Sequence, residues 1–508
     1  MNHHEELQSW TLVTTKAAMR IIVKRRLDVL GEDKMSDPIK FGTDGWRAVI
    51  AEDFTFENVR YCAQGAADYL KAARLAGRGI AIGYDNRYAS EDFAAAAAEV
   101  MAGNGIHTWL SPKAVPTPQV CFTILKQQAG GGIIITASHN PARYNGIKFR
   151  EETGVSVSSE VAAQVEKYVH QAVAEQKVIK LPFEEALRIK RVEYLDLTTA
   201  YLSQISNLVD INKIKHAGLN IVIDSMYGVG SGIFQDLLGG GTNQLTEING
   251  ERNPAFPGIN PEPITPNLKK LSAMVVDHKA NVGLATDGDA DRIGIIDENG
   301  HFLTQLQVFA LLTLYLLEVR GERGAIIKTV TSTSMLDRLG ELYHMPVYET
   351  QVGFKYVAPL FLQHNAIIGG EESGGYGFRG HVPERDSIPA GLFFIDFMIQ
   401  TGKTPSQLLD YLYSKVGPHY YERIDLHFAA DLRDKILENV NKSNPGAFAG
   451  VKVAKFDNTD GFRYRLADNS WLLIRFSGTE PLLRIYSEAS SPEQVQKMLQ
   501  AGKQLTGI

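Results

Sequence analysis

The chain has 508 residues, of which 44% are hydrophobic and 22% charged, and its formal net charge is −6. This length exceeds what one hydrophobic core supports and predicts about three or four domains. The negative charge argues against nucleic acid as the main partner, because proteins that bind polyanions carry a basic surplus. The only two cysteines, Cys62 and Cys121, exclude a disulfide framework and a cysteine-rich metal site, and they fit a reducing, cytoplasmic compartment.

The first 35 residues differ in composition from the rest of the chain. The stretch KAAMRIIVKRRLDVL is basic and amphipathic, as in a transit peptide or a membrane-surface helix. Acidic Glu5 and Glu6 precede it, however, and there is no apolar signal core. We therefore expect residues 1–35 to be an N-terminal extension and Met35 to be the natural start.

No apolar run approaches the roughly 20 residues that a membrane-spanning helix needs. The longest candidate, FALLTLYLLEV, is interrupted by Glu318 and predicts a buried helix. We expect no membrane partner.

Apolar strands alternate with helical patterns along the first three quarters of the chain, and each strand ends in small or acidic residues. This alternation is typical of parallel sheets with helices on both faces, and its recurrence indicates repeated domains of similar build. The predicted strands are GIAIGYD (79–85), GGIIITAS (131–138), LNIVIDS (219–225), NVGLATD (281–287) and GAIIKTV (324–330).

The second of these strands continues directly into TASHNP, residues 136–141. Ser, Asn and Pro are ordinary turn residues, so a simple turn explains the segment. The alternative is a reactive Ser138 hydroxyl at the carboxyl end of a parallel strand, where open α/β sheets hold their ligands. This stretch alone favours the turn, and the other motifs must decide.

Two cations accompany this serine in the sequence. Arg47 ends the glycine-rich turn FGTDGWR, and Lys148 lies ten residues beyond Ser138. Such side chains are usually exposed to solvent. Either cation could equally stabilise a phosphoryl group during transfer.

The segment TDGDADR places Asp287, Asp289 and Asp291 at alternating positions. Three carboxylates this close repel one another unless a cation lies between them, so the spacing predicts a site for a hard divalent ion. An acidic surface turn is disfavoured by the apolar segments on either side. An EF-hand is disfavoured because Arg292 occupies the position where that loop requires glycine. Mg²⁺ is the expected ion, with a coordination position open to a phosphoryl oxygen.

The segment GGEESGGYGFRGHVPERD, residues 369–386, combines acidic and hydroxyl side chains with glycines. Glu371 and Glu372 stand beside Ser373. Carboxylates next to hydroxyls suit the paired hydrogen bonds that vicinal sugar hydroxyls offer. A flexible glycine-rich loop with solvated acids explains the segment equally well.

From about residue 418, short alternating strands followed by the helical pattern SPEQVQKMLQAGKQL predict a smaller α+β domain with an antiparallel sheet. Its segment RFSGTEP holds a guanidinium, two hydroxyls and a glycine, which together suit a phosphate cradle. A turn between strands would explain this segment about as well, and Arg484 could add a second cation. The cradle candidates are Arg475, Ser477, Gly478 and Thr479.

Together, these motifs resemble the α-D-phosphohexomutase family, which contains phosphoglucomutases and phosphomannomutases. TASHNP, DGDADR, GEESGG and RFSGTEP occur in the family's order, and the resemblance extends from residue 36 to the end. It implies an α/β fold of four domains around a central cleft: three related α/β domains with mixed or parallel sheets, and a C-terminal α+β domain. The implied limits are 36–195 with the catalytic serine loop, 196–301 with the metal loop, 302–416 with the sugar loop, and 417–508 with the phosphate-binding loop.

The resemblance also implies the catalytic centre. Ser138 corresponds to the phosphorylated serine, and its phosphate would complete a Mg²⁺ site formed by Asp287, Asp289 and Asp291. No G-x-S-x-G segment surrounds the serine, which weighs against a hydrolase triad.

Further roles follow from the same resemblance. Arg47 and Lys148 are implied to assist proton transfer near the serine, and His139 to shape the catalytic loop or contact phosphate rather than act as a base. The implied substrate-binding residues are Arg292, Lys328, Glu371, Ser373, Arg385, Arg475, Ser477, Gly478, Thr479 and Arg484.

The implied reaction interconverts glucose 1-phosphate and glucose 6-phosphate, with mannose phosphates as further candidate substrates. It proceeds through a phosphoserine and a hexose 1,6-bisphosphate, so that glucose 1,6-bisphosphate is both intermediate and activator. Small hexose phosphates are the expected partners. The sequence leaves the oligomeric state open. A glucose-1,6-bisphosphate synthase, which would use the same serine with an outside phosphoryl donor, is the alternative enzyme. A non-catalytic sugar-phosphate binding protein is disfavoured because the serine and the metal loop are intact.

Two departures from the family pattern concern the sugar. The loop reads GEESGG, whereas glucosamine-type members usually show GEQSGH, which makes an amino sugar less expected. Arg385 stands where some glucose-type relatives carry lysine, and this exchange changes hydrogen-bond geometry. The choice between glucose, mannose or both stays open.

Overall fold

The computed structural model describes residues 39–42, 44–443, 445–477 and 482–508. The predicted extension, residues 1–35, lies outside the described residues, as do Gly478 and Thr479. Four sheets with their helices occupy the rest of the chain. Among the helices of the described ranges, none is both long and apolar enough to cross a membrane.

The first region is built on a six-stranded sheet. Its strands are β1 (Trp46–Val49), β2 (Ile80–Tyr84), β3 (Thr108–Leu110), β4 (Gly131–Ile135), β5 (Tyr144–Glu151) and β6 (Val192–Tyr194), and its helices are α1 (Phe56–Ala72), α2 (Ser90–Gly103), α3 (Thr117–Gln127), α4 (Ser159–Ala174) and α5 (Phe183–Arg188). The strand order is β1-β5-β4-β2-β3-β6. Strands β4, β2, β3 and β6 run parallel, whereas β5 and β1 are antiparallel to their neighbours. Every residue of β2 and β4 is buried, as expected for apolar strands covered on both faces.

The second region repeats this plan with five strands in the order β11-β10-β9-β7-β8. Here β9, β7 and β8 are parallel, and β10 and β11 return antiparallel. The elements are α6 (Thr198–Leu208), α7 (Ile211–Lys215), β7 (Asn220–Asp224), α8 (Ile233–Leu238), β8 (Gln244–Ile248), α9 (Lys269–Asp277), β9 (Val282–Thr286), β10 (Ile293–Ile296) and β11 (Phe302–Leu303).

The third region has four strands in the order β13-β12-β14-β15, of which β15 is antiparallel to β14. The predicted buried helix is confirmed: FALLTLYLLEV forms the end of α10 and a following π-helical turn, Tyr315–Val319, whose first three residues are buried. The elements are α10 (Gln305–Leu314), β12 (Ile326–Thr329), α11 (Met335–Tyr343), β13 (Val347–Thr350), α12 (Phe354–Gln363), β14 (Ile368–Gly370), β15 (Tyr376–Phe378), α13 (Ser387–Thr401) and α14 (Pro405–Val416).

The C-terminal region is an antiparallel sheet in the order β16-β21-β20-β19-β18-β17, as the change in sequence pattern predicts. The fold class is therefore confirmed: three mixed α/β regions and a fourth, α+β region. The elements are β16 (Tyr420–His427), α15 (Arg433–Lys442), β17 (Ala447–Phe448), β18 (Val451–Asp457), β19 (Phe462–Leu466), β20 (Trp471–Phe476), β21 (Leu482–Ala489) and α16 (Pro492–Thr506).

One feature recurs in the first three sheets and positions the chemistry. In each, a buried parallel strand ends in a loop and the chain returns in an antiparallel strand: β4 to β5, β9 to β10, and β14 to β15. These three loops, which we call the serine loop (136–143), the metal loop (287–292) and the sugar loop (371–375), carry TASHNP, DGDADR and EESGG. All three lie at carboxyl ends of parallel strands, where open sheets hold ligands.

Candidate active site

The serine loop brings a buried hydroxyl against the metal loop. Ser138 is 1% exposed, and its backbone adopts a left-handed conformation with φ of 52°. Its N–H donates to Thr136 Oγ1 at 2.8 Å, and its Oγ donates to Asp287 Oδ2 at 3.0 Å. The predicted nucleophile and the predicted metal loop, 149 residues apart in sequence, are therefore in direct contact.

The metal loop gathers three buried carboxylates. Oxygens of Asp287, Asp289 and Asp291 all lie within 4.8 Å of one another. Oδ1 of Asp289 and Oδ1 of Asp291 are buried and accept no hydrogen bond within the described part of the chain. Hard oxygen ligands left unsatisfied in a converging group fit Mg²⁺, which is bound by a few carboxylates together with substrate phosphates. The donor set thus matches the predicted metal.

The electrostatics of these carboxylates also favour a cation. Burial raises the pKa of Asp287 well above its usual value, and the neighbouring Asp289 and Asp291 charges raise it further. Burial also acts to raise the pKa of Asp289, but the Lys148 ammonium and hydrogen bonds from Lys148 and Thr117 outweigh it and hold that pKa low. The loop concentrates negative charge that existing cations only partly neutralise.

Close packing of the serine and metal loops depends on glycine. A Cβ on Gly288 would lie 2.5 Å from the carbonyl oxygen of Ser138. Behind the metal loop, a Cβ on Gly228 would lie 2.8 Å from the carbonyl oxygen of Asp287, and one on Gly230 only 2.3 Å from Thr286 Oγ1. A side chain at Gly288 would push the serine and metal loops apart, so their close contact requires glycine there. Gly228 and Gly230 instead let their own segment pack closely against Asp287 and Thr286.

Lys148 lies between two acidic groups. Its Nζ is 2.8 Å from Asp289 Oδ2 and 2.8 Å from Asp44 Oδ2. Burial acts to lower the pKa of Lys148, but these two carboxylates outweigh it and raise that pKa, so the ammonium stays charged beside the metal loop. Arg47 donates to Asn140 Oδ1 at 2.8 Å, which places its guanidinium at the serine loop. Both predicted cations therefore reach the site.

His139 contacts Ser138 through one ring nitrogen. Its Nδ1 lies 3.4 Å from Ser138 Oγ. Loss of hydration lowers the pKa of His139 well below its usual value, and the Arg292 and Arg47 cations lower it further. The ring is therefore neutral at pH 7. A neutral ring does not repel the nearby Arg292 and Arg47 cations, which would pair with a phosphate bound here.

Arg385 joins the sugar loop to the metal loop and to Asp44. Its Nη1 donates to Glu371 Oε2 at 3.0 Å, while its Nη2 lies 2.8 Å from Asp291 Oδ2 and 3.2 Å from Asp44 Oδ2. Ser373 Oγ is buried and has no hydrogen-bond partner among the described residues, which leaves it available to a ligand. Arg385 thus sets the position of the predicted sugar-reading carboxylate relative to the metal loop.

Arg292 directly follows Asp291, the last of the three carboxylates. Its Nε lies 3.7 Å from Asp291 Oδ1 and its Nη1 lies 3.7 Å from Glu262 Oε1. The side chain is only 11% exposed. Its guanidinium therefore lies at the edge of the metal loop, where a phosphate would need a cation.

The other predicted substrate residues lie in separate contacts. Lys328 is bound to Asp337 and to the carbonyl of Thr333, and the described contacts include none between it and the three loops. Arg475 Nε is 2.9 Å from Asp460 Oδ1, and Arg475 faces Arg484 across β20 and β21. Ser477 is buried, and Gly478 and Thr479 lie outside the described residues.

A chain of contacts connects this C-terminal pair to the sugar loop. Arg484 Nε lies 3.7 Å from Asp425, and Asp425 lies 2.9 Å from Arg423. Arg423 and the Tyr421 hydroxyl both bind Glu372 Oε1, at 3.2 and 2.9 Å. The C-terminal sheet therefore contacts the sugar loop through polar groups.

Sequence reasoning missed several residues that organise the site. Asp44 binds Lys148, Arg150 and Arg385 within 3.2 Å, and its carboxylate lies inside the glycine-rich turn whose sequence points only to Arg47. Thr117 donates to Asp289 Oδ2 at 2.7 Å. An acidic residue in a glycine-rich turn was a usable signal for Asp44, whereas nothing local marks Thr117, because its role depends on a partner 172 residues away.

A buried hydroxyl, three converging carboxylates and surrounding cations define a site suited to phosphoryl transfer. Four family models agree with this. The phosphoglucomutase/phosphomannomutase alpha/beta/alpha domains I, II and III match residues 38–176, 199–300 and 305–416, and the C-terminal domain of the same family matches residues 435–501.

Similar proteins span nearly the whole chain. A phosphoglucomutase/phosphomannomutase of Thermococcus kodakarensis is 32% identical over 92% of this chain and 98% of its own. A Pyrococcus abyssi protein classed as a phosphoglucosamine mutase is 30% identical over 92% and 97%. A crystal structure classed as a phosphomannomutase from Thermus thermophilus is 33% identical, covers 93% of this chain and 100% of its own, and has a TM-score of 0.81.

The chain belongs to the phosphoglucomutase/phosphomannomutase family, and it is a phosphohexomutase, an isomerase that transfers a phosphoryl group. A more distant fold relative, an Aspergillus fumigatus N-acetylphosphoglucosamine mutase, was solved with GlcNAc-6P and magnesium; it is 15% identical over 94% of this chain and 97% of its own, with a TM-score of 0.55.

Proposed function

We propose that this phosphohexomutase interconverts glucose 1-phosphate and glucose 6-phosphate, with mannose phosphates as slower or comparable substrates. The contact between Ser138 Oγ and Asp287 of the three-carboxylate metal loop carries the proposal. It supports a phosphoserine whose oxygens would share a Mg²⁺ ion with Asp287, Asp289 and Asp291. When bound, Mg²⁺ supplies a Lewis acid that neutralises phosphoryl oxygens.

The residues of the chain supply positioning and charge. In the first half-reaction, a hydroxyl of the sugar monophosphate attacks the phosphorus of phospho-Ser138 and the bond from phosphorus to Ser138 Oγ breaks. The proton released by the hydroxyl ends on Ser138 Oγ. The product is a hexose 1,6-bisphosphate. Lys148, held charged beside Asp289, and Arg47, held at the serine loop, stabilise the charge that spreads over the transferring group. The bisphosphate then reorients. Transfer of its other phosphoryl group back to Ser138 completes the reaction.

The sugar loop would read the hydroxyls shared by both hexoses. Glu371 is oriented by Arg385, and the buried Ser373 Oγ lacks a partner among the described residues. We propose that these two groups bind the C3 and C4 hydroxyls, which glucose and mannose have in common. These contacts then discriminate little between glucose and mannose, which differ at C2. The requirement to bind the substrate in two orientations further lowers the selectivity for one sugar.

Phosphoglucosamine mutase is the second candidate, because a relative of that class covers nearly the whole chain. The GEESGG loop argues against it, since glucosamine-type members usually show GEQSGH. Glu372 stands where the glucosamine-type pattern has glutamine, so a carboxylate replaces an amide. This carboxylate accepts hydrogen bonds from Tyr421 and Arg423.

Side-by-side assays on glucose 1-phosphate, mannose 1-phosphate and glucosamine 1-phosphate, with glucose 1,6-bisphosphate as activator, distinguish these functions. We expect the highest kcat/KM on a neutral hexose phosphate, with the two neutral hexoses within about 100-fold of each other, since one unpaired polar group rarely discriminates more. A wide preference for glucosamine 1-phosphate would overturn the proposal. Slow bisphosphate formation with poor mutase turnover would instead indicate a bisphosphate synthase.

Glu371→Gln is expected to lower kcat/KM for glucose and mannose phosphates together, by roughly ten- to a hundredfold, because a charged acceptor is lost and Arg385 loses a partner. Steady-state kinetics on both sugars measure this. Glu298→Gln is the matched control: Glu298 is also partly buried and accepts a hydrogen bond from Thr404, but lies outside the three loops. A Glu371→Gln enzyme that lost activity on only one of the two hexoses would contradict the shared-hydroxyl assignment.

A further inference from the structure

We propose that Arg87 is a positioning residue that holds the serine loop in the geometry required for phosphoryl transfer, an inference that rests on the proposed role of Ser138. Arg87 is completely buried. Its Nη1 donates to the carbonyl oxygens of Pro141 and Tyr144, both at 3.0 Å. Its Nη2 donates to the carbonyl oxygens of Ser138 and Asn140, at 2.7 and 2.6 Å. One guanidinium thus binds four backbone carbonyls between residues 138 and 144.

The guanidinium itself pairs with an acid and packs on an aromatic ring. Its Nε lies 3.2 Å from Asp85 Oδ2, and it lies over the ring of Phe256 at 5.0 Å from the ring centroid. Asp85 Oδ1 accepts from the Arg87 N–H and from Ser90 Oγ, both at 2.9 Å. Asp85 directly follows β2, which pairs in parallel with β4, the strand that leads into the serine loop. Arg87 therefore transmits the fixed position of the sheet to the loop.

Arg87 also accounts for the unusual backbone of the nucleophile. Ser138 has a left-handed φ of 52°, which a residue with a side chain adopts only when its surroundings impose it. Both peptide groups that flank Ser138 are fixed: its N–H by Thr136 Oγ1 and its carbonyl by Arg87. With the backbone held on both sides, the Oγ is directed at Asp287.

The contacts of Arg87 indicate a role in positioning the serine loop rather than in binding the substrate. Its described hydrogen bonds go to the serine loop, Tyr144 and Asp85, and none goes to Asp287, Asp289 or Asp291 or to the sugar loop. Loss of the guanidinium should therefore misplace the nucleophile while leaving sugar recognition intact. Misplacement of a reacting group by about 1 Å can cost about 100-fold in rate.

The test compares Arg87→Met and Arg87→Lys with Arg320→Met as a matched control. Arg320 also donates to a backbone carbonyl, that of Leu208 at 2.6 Å, and also lies over an aromatic ring, that of Phe393 at 5.0 Å, but it has no contact with the three loops in the described residues. For each variant, kcat and KM on glucose 1-phosphate are measured, together with the rate at which glucose 1,6-bisphosphate phosphorylates Ser138. Hydrogen exchange of the peptide spanning residues 136–144 reports on the loop itself.

We expect Arg87→Met to lower kcat by about 100-fold or more with KM changed by less than about threefold, and to speed hydrogen exchange selectively in residues 136–144. Arg87→Lys should recover part of kcat, because an ammonium can still donate to some of the four carbonyls. Arg320→Met should keep wild-type kcat, KM and exchange in that peptide.

Two results would overturn the inference. One is wild-type kcat in Arg87→Met. The other is hydrogen exchange that rises uniformly over the first region, with kcat reduced only in proportion to the unfolded fraction. If Arg87→Met does not fold, Arg87→Lys decides: reduced kcat with unchanged KM supports positioning, and unchanged kcat overturns it. A wild-type protein that takes no phosphate on Ser138 would instead contradict the proposed function. Hydrogen exchange would then decide the loop assignment, with selective acceleration in Arg87→Met supporting it and unchanged exchange overturning it.

Discussion

Ser138→Ala is expected to lower kcat by roughly four orders of magnitude or more while leaving the protein folded. The hydroxyl is the group that we propose to carry the phosphoryl group, and alanine offers no oxygen to accept it. The fold should persist because Ser138 already has a left-handed backbone, so alanine adds no steric conflict there, and because the loop stays bound through its carbonyls. Kinetics on glucose 1-phosphate and thermal unfolding measure the two effects.

Ser487→Ala provides the control for this variant. Ser487 is equally buried but lies on β21 of the C-terminal sheet, where its Oγ contacts Met498 Sδ at 3.6 Å. It should keep wild-type kcat. Intact-mass measurement and peptide mapping of active wild-type enzyme should locate phosphate on Ser138, and phosphate found only at another residue would refute the assignment.

Exhaustive chelation is expected to abolish activity, and Mg²⁺ to restore it, because the buried carboxylates of the metal loop have unsatisfied oxygens suited to a hard cation. Asp289→Asn should weaken Mg²⁺ binding and lower kcat by at least about 100-fold, since loss of a group that supports a metal site typically costs about 10- to 100-fold and loss of a ligand costs more. The variant should fold, because Lys148 keeps its contact with Asp44 at 2.8 Å. Titration calorimetry with Mg²⁺ alone gives the affinity independently of activity.

Asp297→Asn is the matched control for the metal site. Asp297 is also buried and directly follows β10, but its carboxylate caps a turn by accepting from the N–H groups of Asn299 and His301 at 2.9 and 2.7 Å. Its substitution should leave the affinity for Mg²⁺ unchanged even if thermal stability falls. Full activity of the wild type after chelation, or unaltered Mg²⁺ affinity in Asp289→Asn, would show that the metal loop has another purpose.

Arg385 and Asp44 explain how groups from three regions of the chain come together in one site. Asp44 accepts from Lys148 and Arg385, and Arg385 binds both Asp291 and Glu371. Burial acts to raise the pKa of Asp44, but Arg150, Lys148 and Arg385 outweigh it and hold that pKa well below its usual value. These charges are paired across the first, second and third regions, and through Arg385 they fix the metal and sugar loops relative to each other.

The sequence by itself determined the fold class, the position of the serine and metal loops at strand ends and the nature of the metal loop. These features are local: buried apolar runs of strand length specify β2, β4, β7, β9 and β12, and three carboxylates at alternating positions need a cation wherever they lie. The sequence also predicted Ser138, Lys148, Arg47 and Arg385 as site residues, and these lie together in the structure.

Only the tertiary structure decided which further groups support that site. Arg87 binds the serine loop from a segment about fifty residues away, and Thr117 binds Asp289 across 172 residues, so no local pattern could reveal either. Lys328, which the resemblance grouped with the sugar contacts, forms an ion pair with Asp337 in the structure, and its contact with the sugar stays a prediction. Long-range pairing of this kind depends on how the sheets pack, because a buried cation must lie beside whichever acceptors the neighbouring loops bring to it.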